Sequence, residues 1–224
     1  TRYQDSMRAD GLILLGYGDY TTYEARLREL MRQGTHFARW GSVSSDTSGA
    51  TIGSDNLGAG RLVGEHLLGE GRRRIAFIGH ADGHYPEFAH RYDGLCEVLR
   101  GAGIGPDPAL QRDAITTEEA GLSATRDLIA SGAQFDAIFA GSDLIAIGAM
   151  RALAEAGLAV PGDVAVVGFD DIPSASLTSP PLTTIQQDTR GAGERLVETL
   201  LAQIEGEDLP PARLPTRLIV RGSS

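Results

Sequence analysis

The sequence predicts an α/β fold of doubly wound parallel sheet, on three observations. Strand-like and helix-like segments alternate along the whole chain. The strand-like runs IAFI at 75–78, FDAIFA at 135–140 and VAVVGF at 164–169 are largely apolar and lack polar alternation, as strands covered on both faces by helices must be. Finally, residues 135–171 read as one complete strand–helix–strand unit, the crossover that two parallel strands require.

That unit organises the rest. After the strand at 135–140, Gly141-Ser142-Asp143 turns the chain, and Ser142 or Asp143 can accept from the free amides of the first helical turn. Leu144, Ile147, Met150 and Ala154 follow at helical spacing and predict one inward stripe. Gly157 closes the helix, Pro161 forbids its continuation, and 164–169 is the next strand. Ligands of open α/β sheets sit at the carboxyl ends of the strands. The 141–143 and 169–171 turns therefore belong on one rim, and function is expected there.

From the start, residues 1–9 read as the tail of a helix, and 10–15 as a buried strand ending in Gly16-Tyr17-Gly18-Asp19. Thr21 or Thr22 can cap a helix with Leu27, Leu30 and Met31 inward and Gly34 as its stop. A strand at 36–40, a small-residue loop at 42–50 and a short strand at 51–54 come next. Asp55 or Asn56 caps a helix carrying Leu62, His66, Leu67 and Leu68, stopped by Gly71. The strand at 75–78 leads into the loop HADGHYPEF, and a helix runs from Pro86 or Phe88 to Leu99. A strand ending within 113–115 and a helix from Thr117 to Ile129 precede the central unit. Beyond it, SPPLTTI at 179–185 is extended because paired prolines refuse helix. A long helix at 189–204 and a strand at 214–220 finish the chain.

Composition excludes whole classes of function. All 20 basic residues are arginine, against 30 acidic ones, for a net charge of −10. The absence of lysine removes Walker-type phosphate binding and Schiff-base chemistry. The acidic balance opposes direct binding to a phosphate backbone. The single cysteine, Cys96, lies in a helical run and reads as a small core hydrophobe. No apolar stretch is long enough for a membrane helix, and no basic-then-apolar leader opens the chain.

Several segments resemble the effector-binding domain of LacI/GalR transcriptional regulators, a fold similar to periplasmic sugar-binding proteins of type I. They are HLLGEGRRRIAFIG at 66–79, the Arg91-Tyr92-Asp93-Gly94 run, residues 135–171, SPPLTTIQQD at 179–188 and LPTRLIVRGSS at 214–224. They cover most of the chain in the family's order; Arg72 departs from the family's usual Gly-His before the strand. The resemblance implies two lobes with three crossings: a first lobe at 1–72 and 188–206, and a second at 73–187 and 207–224. It also implies a strand, a helix and a second strand ahead of residue 1, preceded by a helix-turn-helix and a hinge helix. The chain has no initiator methionine and opens in mid-unit, so the first lobe is expected to be incomplete at its start.

By that resemblance, Asp170 is a ligand carboxylate that accepts from neighbouring hydroxyls, and Arg91 is a ligand arginine whose planar fork suits paired hydroxyls or a carboxylate. Without it, Asp170 and Asp171 read as caps of the following turn, and Arg91 as a solvated arginine. Tyr85, Glu87 and Phe88 lie in the loop where the family places effector-choosing side chains; a surface tyrosine and a hydrophobic staple are the alternative. Ser142 and Thr116 are further rim candidates, with Asp143 structural. Trp40 ends a first-lobe strand, where it either faces the cleft or simply packs. Gln186 and Asp188 are hinge candidates.

Three other patterns point to no site. His80, Asp82, His84 and His90 fit no closed zinc spacing. Asn56-Leu57-Gly58-Ala59-Gly60 hints at a dinucleotide turn but lacks the third glycine and the following acid. No nucleophile elbow or Ser, His and Asp set is present. No metal, cofactor or catalytic residue is therefore expected.

The expected function is effector sensing in a cytoplasmic LacI-type regulator. A small sugar-like ligand between the lobes alters operator affinity through a homodimer, and DNA is contacted only by a helix-turn-helix outside this chain. The alternative is a periplasmic sugar-binding protein of a transport or chemotaxis system. An enzyme on the same fold is a third reading, for which the sequence offers no acid, base and nucleophile set.

Overall fold

The computed structural model describes residues 9–16, 20–43 and 50–224, the side chains of 20–25 excepted. The helix tail expected at the start of the chain, the turn after Gly16, the Thr21 or Thr22 cap and most of the 42–50 loop lie outside the described residues. The chain divides into two compact units, one of residues 1–55, 84–87 and 188–215, the other of 56–83, 88–187 and 216–224.

The first unit holds four parallel strands in the order β1-β2-β3-β9: β1 (Leu12–Leu15), β2 (Phe37–Trp40), β3 (Thr51–Ser54) and β9 (Ala212–Leu214). Side chains alternate across a strand, and both faces are used. Phe37 packs with Leu27 and Leu30 of α1 (Tyr20–Arg32), and its neighbour Ala38 packs with Leu196 of α6 (Thr189–Ile204). Asp188 caps α6, its carboxylate accepting from the Gly191 amide at 2.9 Å.

In the second unit, six strands run β10-β8-β7-β6-β4-β5: β4 (Ile75–Ile78), β5 (Gln111–Arg112), β6 (Ala137–Ala140), β7 (Ala165–Asp170), β8 (Thr183–Gln187) and β10 (Thr216–Ile219). All pairings are parallel except β10 on β8, an antiparallel edge. On one face, α2 (Asn56–Gly69) and α3 (Pro86–Gly101) bury Val63, Leu67, Leu95 and Leu99 against Phe77, Phe139 and Phe169. On the other, α4 (Glu118–Ala130) and α5 (Asp143–Glu155) bury Leu128, Ile145, Ala149 and Leu153 against Ile78, Ile138 and Val166. From β4 the chain steps outward to β5 and then back across to β6. The loops after β4 and β6 therefore leave the sheet in opposite directions. That divergence marks the topological switch point, and α/β sheets take their ligands at the strand ends beside it.

Several expectations shift. The strand expected at 214–220 is two strands, because Pro215 has no amide to donate: β9 pairs with β3 and β10 with β8. The unit boundaries move with it. Residues 207–215 join the first unit through β9, and α2 joins the second because it packs on α3 and the β4–β6–β7 face, so the division falls at 55/56 rather than after residue 72. The inward stripe of α5 is also displaced. Ala154 is exposed, whereas Ile145, Ala146, Ala149, Ala152 and Leu153 are buried, because α5 is covered by the sheet on one side and α4 on the other. Met31 of α1 is exposed rather than inward. Cys96 is buried, and burial pushes its thiol pKa up, as suits a packing residue.

Candidate functional site

Among the sequence-predicted residues, the strand-end rim of the second unit brings together Asp170, Arg91, Phe88 and Ser142. Arg91 rises from the second turn of α3 and is only 6% exposed. A buried guanidinium needs acceptors for its rigid donors. Its Nε donates to Asn56 Oδ1 at 2.8 Å, and one terminal nitrogen donates to the Gly141 carbonyl at the end of β6. The plane of its charge lies 3.5 Å from the Phe169 ring centroid and 5.0 Å from that of Phe88, an arrangement favourable for a desolvated cation. Arg91 thus bridges the ends of β6 and β7.

Asp170 ends β7 with φ +122°, and Asp171 follows at φ +56°. Both lie in the left-handed region that L-residues adopt at a cost, a condition that collects at ligand sites. Asp170 Oδ1 accepts from Gln187 Nε2 at 2.6 Å. Burial pushes its carboxyl up to about 6, against the pull of the Arg91 charge and the Gln187 bond. Near neutral pH the group is predominantly a carboxylate, an acceptor facing a fixed cation. Asp171 turns the other way: it accepts from Gln186 Nε2 at 2.6 Å and pairs with Arg221 at 2.6 Å.

Ser142 takes the cap of α5, and Asp143 is structural as expected, though not as a cap. Ser142 is the N-cap of α5, its hydroxyl accepting from the Ile145 amide at 3.3 Å, and it is almost wholly buried. Asp143 is fully buried and reaches into the sheet, accepting from Thr184 Oγ1 at 2.5 Å and the Ile172 amide at 2.9 Å. Thr116 is exposed, and its neighbour Thr117 caps α4 by accepting from the Ala120 amide at 3.1 Å. Half-buried Tyr85 and Glu87 belong to the short 84–87 stretch grouped with the first unit. Trp40 packs against that unit's own core of Ala38, Ile52 and Leu196.

Asn56, Phe169 and Gln187 escaped sequence reasoning. A buried Asn at the start of a helix looks like any cap, and an apolar residue ending a strand like any core position. Only their meeting with Arg91 or Asp170 sets them apart. The glycines after Asn56 have a packing reason. A Cβ on Gly60 would lie 2.1 Å from the Arg91 carbonyl oxygen, and one on Gly94 2.2 Å from that of Leu57. The GAG run thus lets α2 and α3 touch backbone to backbone. Among the described residues, no group of three or more His, Cys, Asp or Glu side chains is placed to hold a metal, and no helix is long and apolar enough to cross a membrane.

The family model described as periplasmic binding protein-like domain matches residues 65–224, which spans β4 to β10 and the whole rim. The chain belongs to this family. Its relatives are LacI-type regulators. The HTH-type transcriptional regulator CelR of Thermobifida fusca is 39% identical over 172 residues, covering 75% of this chain and 50% of CelR. The ribose operon repressor of Escherichia coli is 32% identical over 223 residues, covering 97% of this chain and 66% of the repressor. The chain therefore spans about half to two thirds of the length of these relatives. Among solved structures, a CelR–cellobiose complex superposes with a TM-score of 0.89 at 32% identity, covering all of this chain and 68% of that one. These relatives are transcriptional regulators, not enzymes.

Proposed function

We propose that this family member is the effector-binding domain of a LacI-type transcriptional regulator and that its effector is a neutral sugar. The observation that carries the reading is a carboxylate acceptor, Asp170, set in the field of a buried guanidinium, Arg91, at the strand ends of the second unit's sheet. Vicinal hydroxyls donate to the first and accept from the second. The apolar faces of Phe88 and Phe169 hold Arg91 and give the site a dry floor. Relatives named for cellobiose and for the ribose operon support the ligand class.

In this reading the protein works in the cytoplasm as a homodimer, and the occupied rim changes the affinity of a helix-turn-helix for operator DNA. The rim itself makes no DNA contact, in keeping with the net charge of −10. Tyr85, Glu87, Ser142, Thr116 and Trp40 remain candidate ligand contacts, with Tyr85 and Glu87 setting which sugar is chosen.

A thermal-shift screen with cellobiose, ribose and other mono- and disaccharides tests the reading. At least one sugar should raise the melting temperature of the parent chain, and Asp170→Asn should abolish the rise. No response to any sugar, or an Asp170→Asn chain that responds like the parent, contradicts it.

A further inference from the structure

Two successive left-handed residues, Asp170 and Asp171, do not hold themselves. Upstream, β7 is fixed by its pairing with β8, where Asp170 sits opposite Gln186. Downstream, beside the Asp171 contacts to Gln186 and Arg221, the turn's backbone is fastened to a side chain: the Ile172 amide donates to Asp143 Oδ2 at 2.9 Å. Asp143 is itself clamped, because its Oδ1 accepts from Thr184 Oγ1 on β8 at 2.5 Å. The sheet makes room for it. A Cβ on Gly168 of β7 would lie 2.2 Å from Asp143 Oδ1, so a glycine two residues ahead of Asp170 is what admits the carboxylate.

We propose that Asp143 is a positioning residue for the ligand rim: its buried carboxyl, braced by Thr184, fastens the left-handed turn that presents Asp170. This rests on Asp170 being the ligand carboxylate.

The charges around Asp143 set how its carboxyl titrates. Asp170 and Asp171 face it from the end of β7, with Arg91 of α3 beside Asp170 and Arg221 paired to Asp171. α4, packed on α5, carries Glu118 and Glu119 in its exposed first turn, and Arg126 and Asp127 further on, where Arg126 pairs with Glu155 at the other end of α5. Burial pushes the Asp143 carboxyl up to about 7; the Thr184 and Ile172 bonds pull it down, and the two aspartates push it up. Both protonation states keep the turn fastened. The anion accepts from both donors, and the neutral acid accepts from Ile172 while sharing its proton with Thr184. Asparagine can do the same, its oxygen taking the Ile172 amide and its NH2 facing Thr184. Alanine cannot.

The test needs no ligand. Side-chain carboxyl groups of the whole chain are titrated by carbon NMR, and amide exchange is followed at Ile172, in the parent and in Asp143→Asn, Asp143→Ala, Thr184→Val and Asp170→Asn. One carboxyl should titrate near neutrality in the parent and vanish in Asp143→Asn. Its midpoint should fall by at least half a pH unit in Asp170→Asn, where a facing charge is gone, and rise in Thr184→Val. Exchange at Ile172 should stay at the parent rate in Asp143→Asn and quicken at least tenfold in Asp143→Ala, with the β7 amides still protected. If Asp143→Ala does not fold, the midpoints and the asparagine rescue decide. A midpoint unmoved by Asp170→Asn and Thr184→Val, or Ile172 exchange as fast in Asp143→Asn as in a released loop, overturns the proposal. Failure of the ligand reading would show elsewhere, as sugar binding by Asp170→Asn equal to the parent's.

Discussion

The guanidinium of Arg91 sits over the Phe169 ring, 3.5 Å from its centroid, while its nitrogens reach the Asn56 side chain and the Gly141 carbonyl. One side chain thus ties α2, α3 and the ends of β6 and β7 to a single point. It is at once part of the fold and a group a ligand can use. A lysine keeps the charge but loses the planar fork and the stack. Arg91→Lys should destabilise the chain by about 2 kcal/mol, the range for a buried hydrogen bond to a charged group. The urea unfolding midpoint checks this. An unchanged midpoint would show that the fork is not structurally engaged.

Gly60 is the second point on which Arg91 depends. Its missing side chain lets α2 rest on the Arg91 carbonyl. Gly60→Ala must push the helices apart and should cost roughly 1–3 kcal/mol. Gly193 of α6 is the control. It is exposed and a Cβ there meets nothing within 4 Å, so Gly193→Ala should stabilise by about 1 kcal/mol through helix propensity alone. Melting temperatures of the two variants should move in opposite directions.

Stability should depend on pH through two raised carboxyls. The folded-state pKa values of about 6 for Asp170 and about 7 for Asp143 stand above the ordinary carboxylate value of about 4. The folded state therefore holds protons that the unfolded state releases. Their stabilising contribution is complete below about pH 4 and is lost as pH rises through 6 and then 7. Asp143→Asn escapes the upper loss. Its stability relative to the parent should improve between pH 5 and pH 8 by about 3 kcal/mol, two pH units below the midpoint at 1.36 kcal/mol each. Denaturant titrations at the two pH values measure it, and a difference that is flat with pH would contradict a buried, titrating Asp143.

Much of this was legible in the residues. The doubly apolar strands, the Ser142 cap region and the 189–204 helix follow from local pattern, because burial on both faces and capping leave marks within a few positions. Asp170 and Arg91 were found through the resemblance, not through their spacing. What local pattern could not show was partnership. Nothing near Asn56 says that it will hold Arg91, and nothing near Gly168 says that Asp143 will fill the space above it. Pro215 was visible, yet its consequence, one strand becoming two in different sheets, depends on partners more than 100 residues upstream in one case. The stripe on α5 was misplaced because a helix buried on two sides has no single inward face.

The central claim is that Asp170 and Arg91 grip one ligand together. Isothermal calorimetry on the parent, Asp170→Asn, Arg91→Lys and the double variant, with the sugar that shifts the melting temperature most, tests it most directly. Each single change should weaken binding by a hundredfold or more, and the double change should add little, since groups that act on one ligand as a unit are strongly non-additive. Parent-like affinity in either single variant, or losses that simply add, would contradict it.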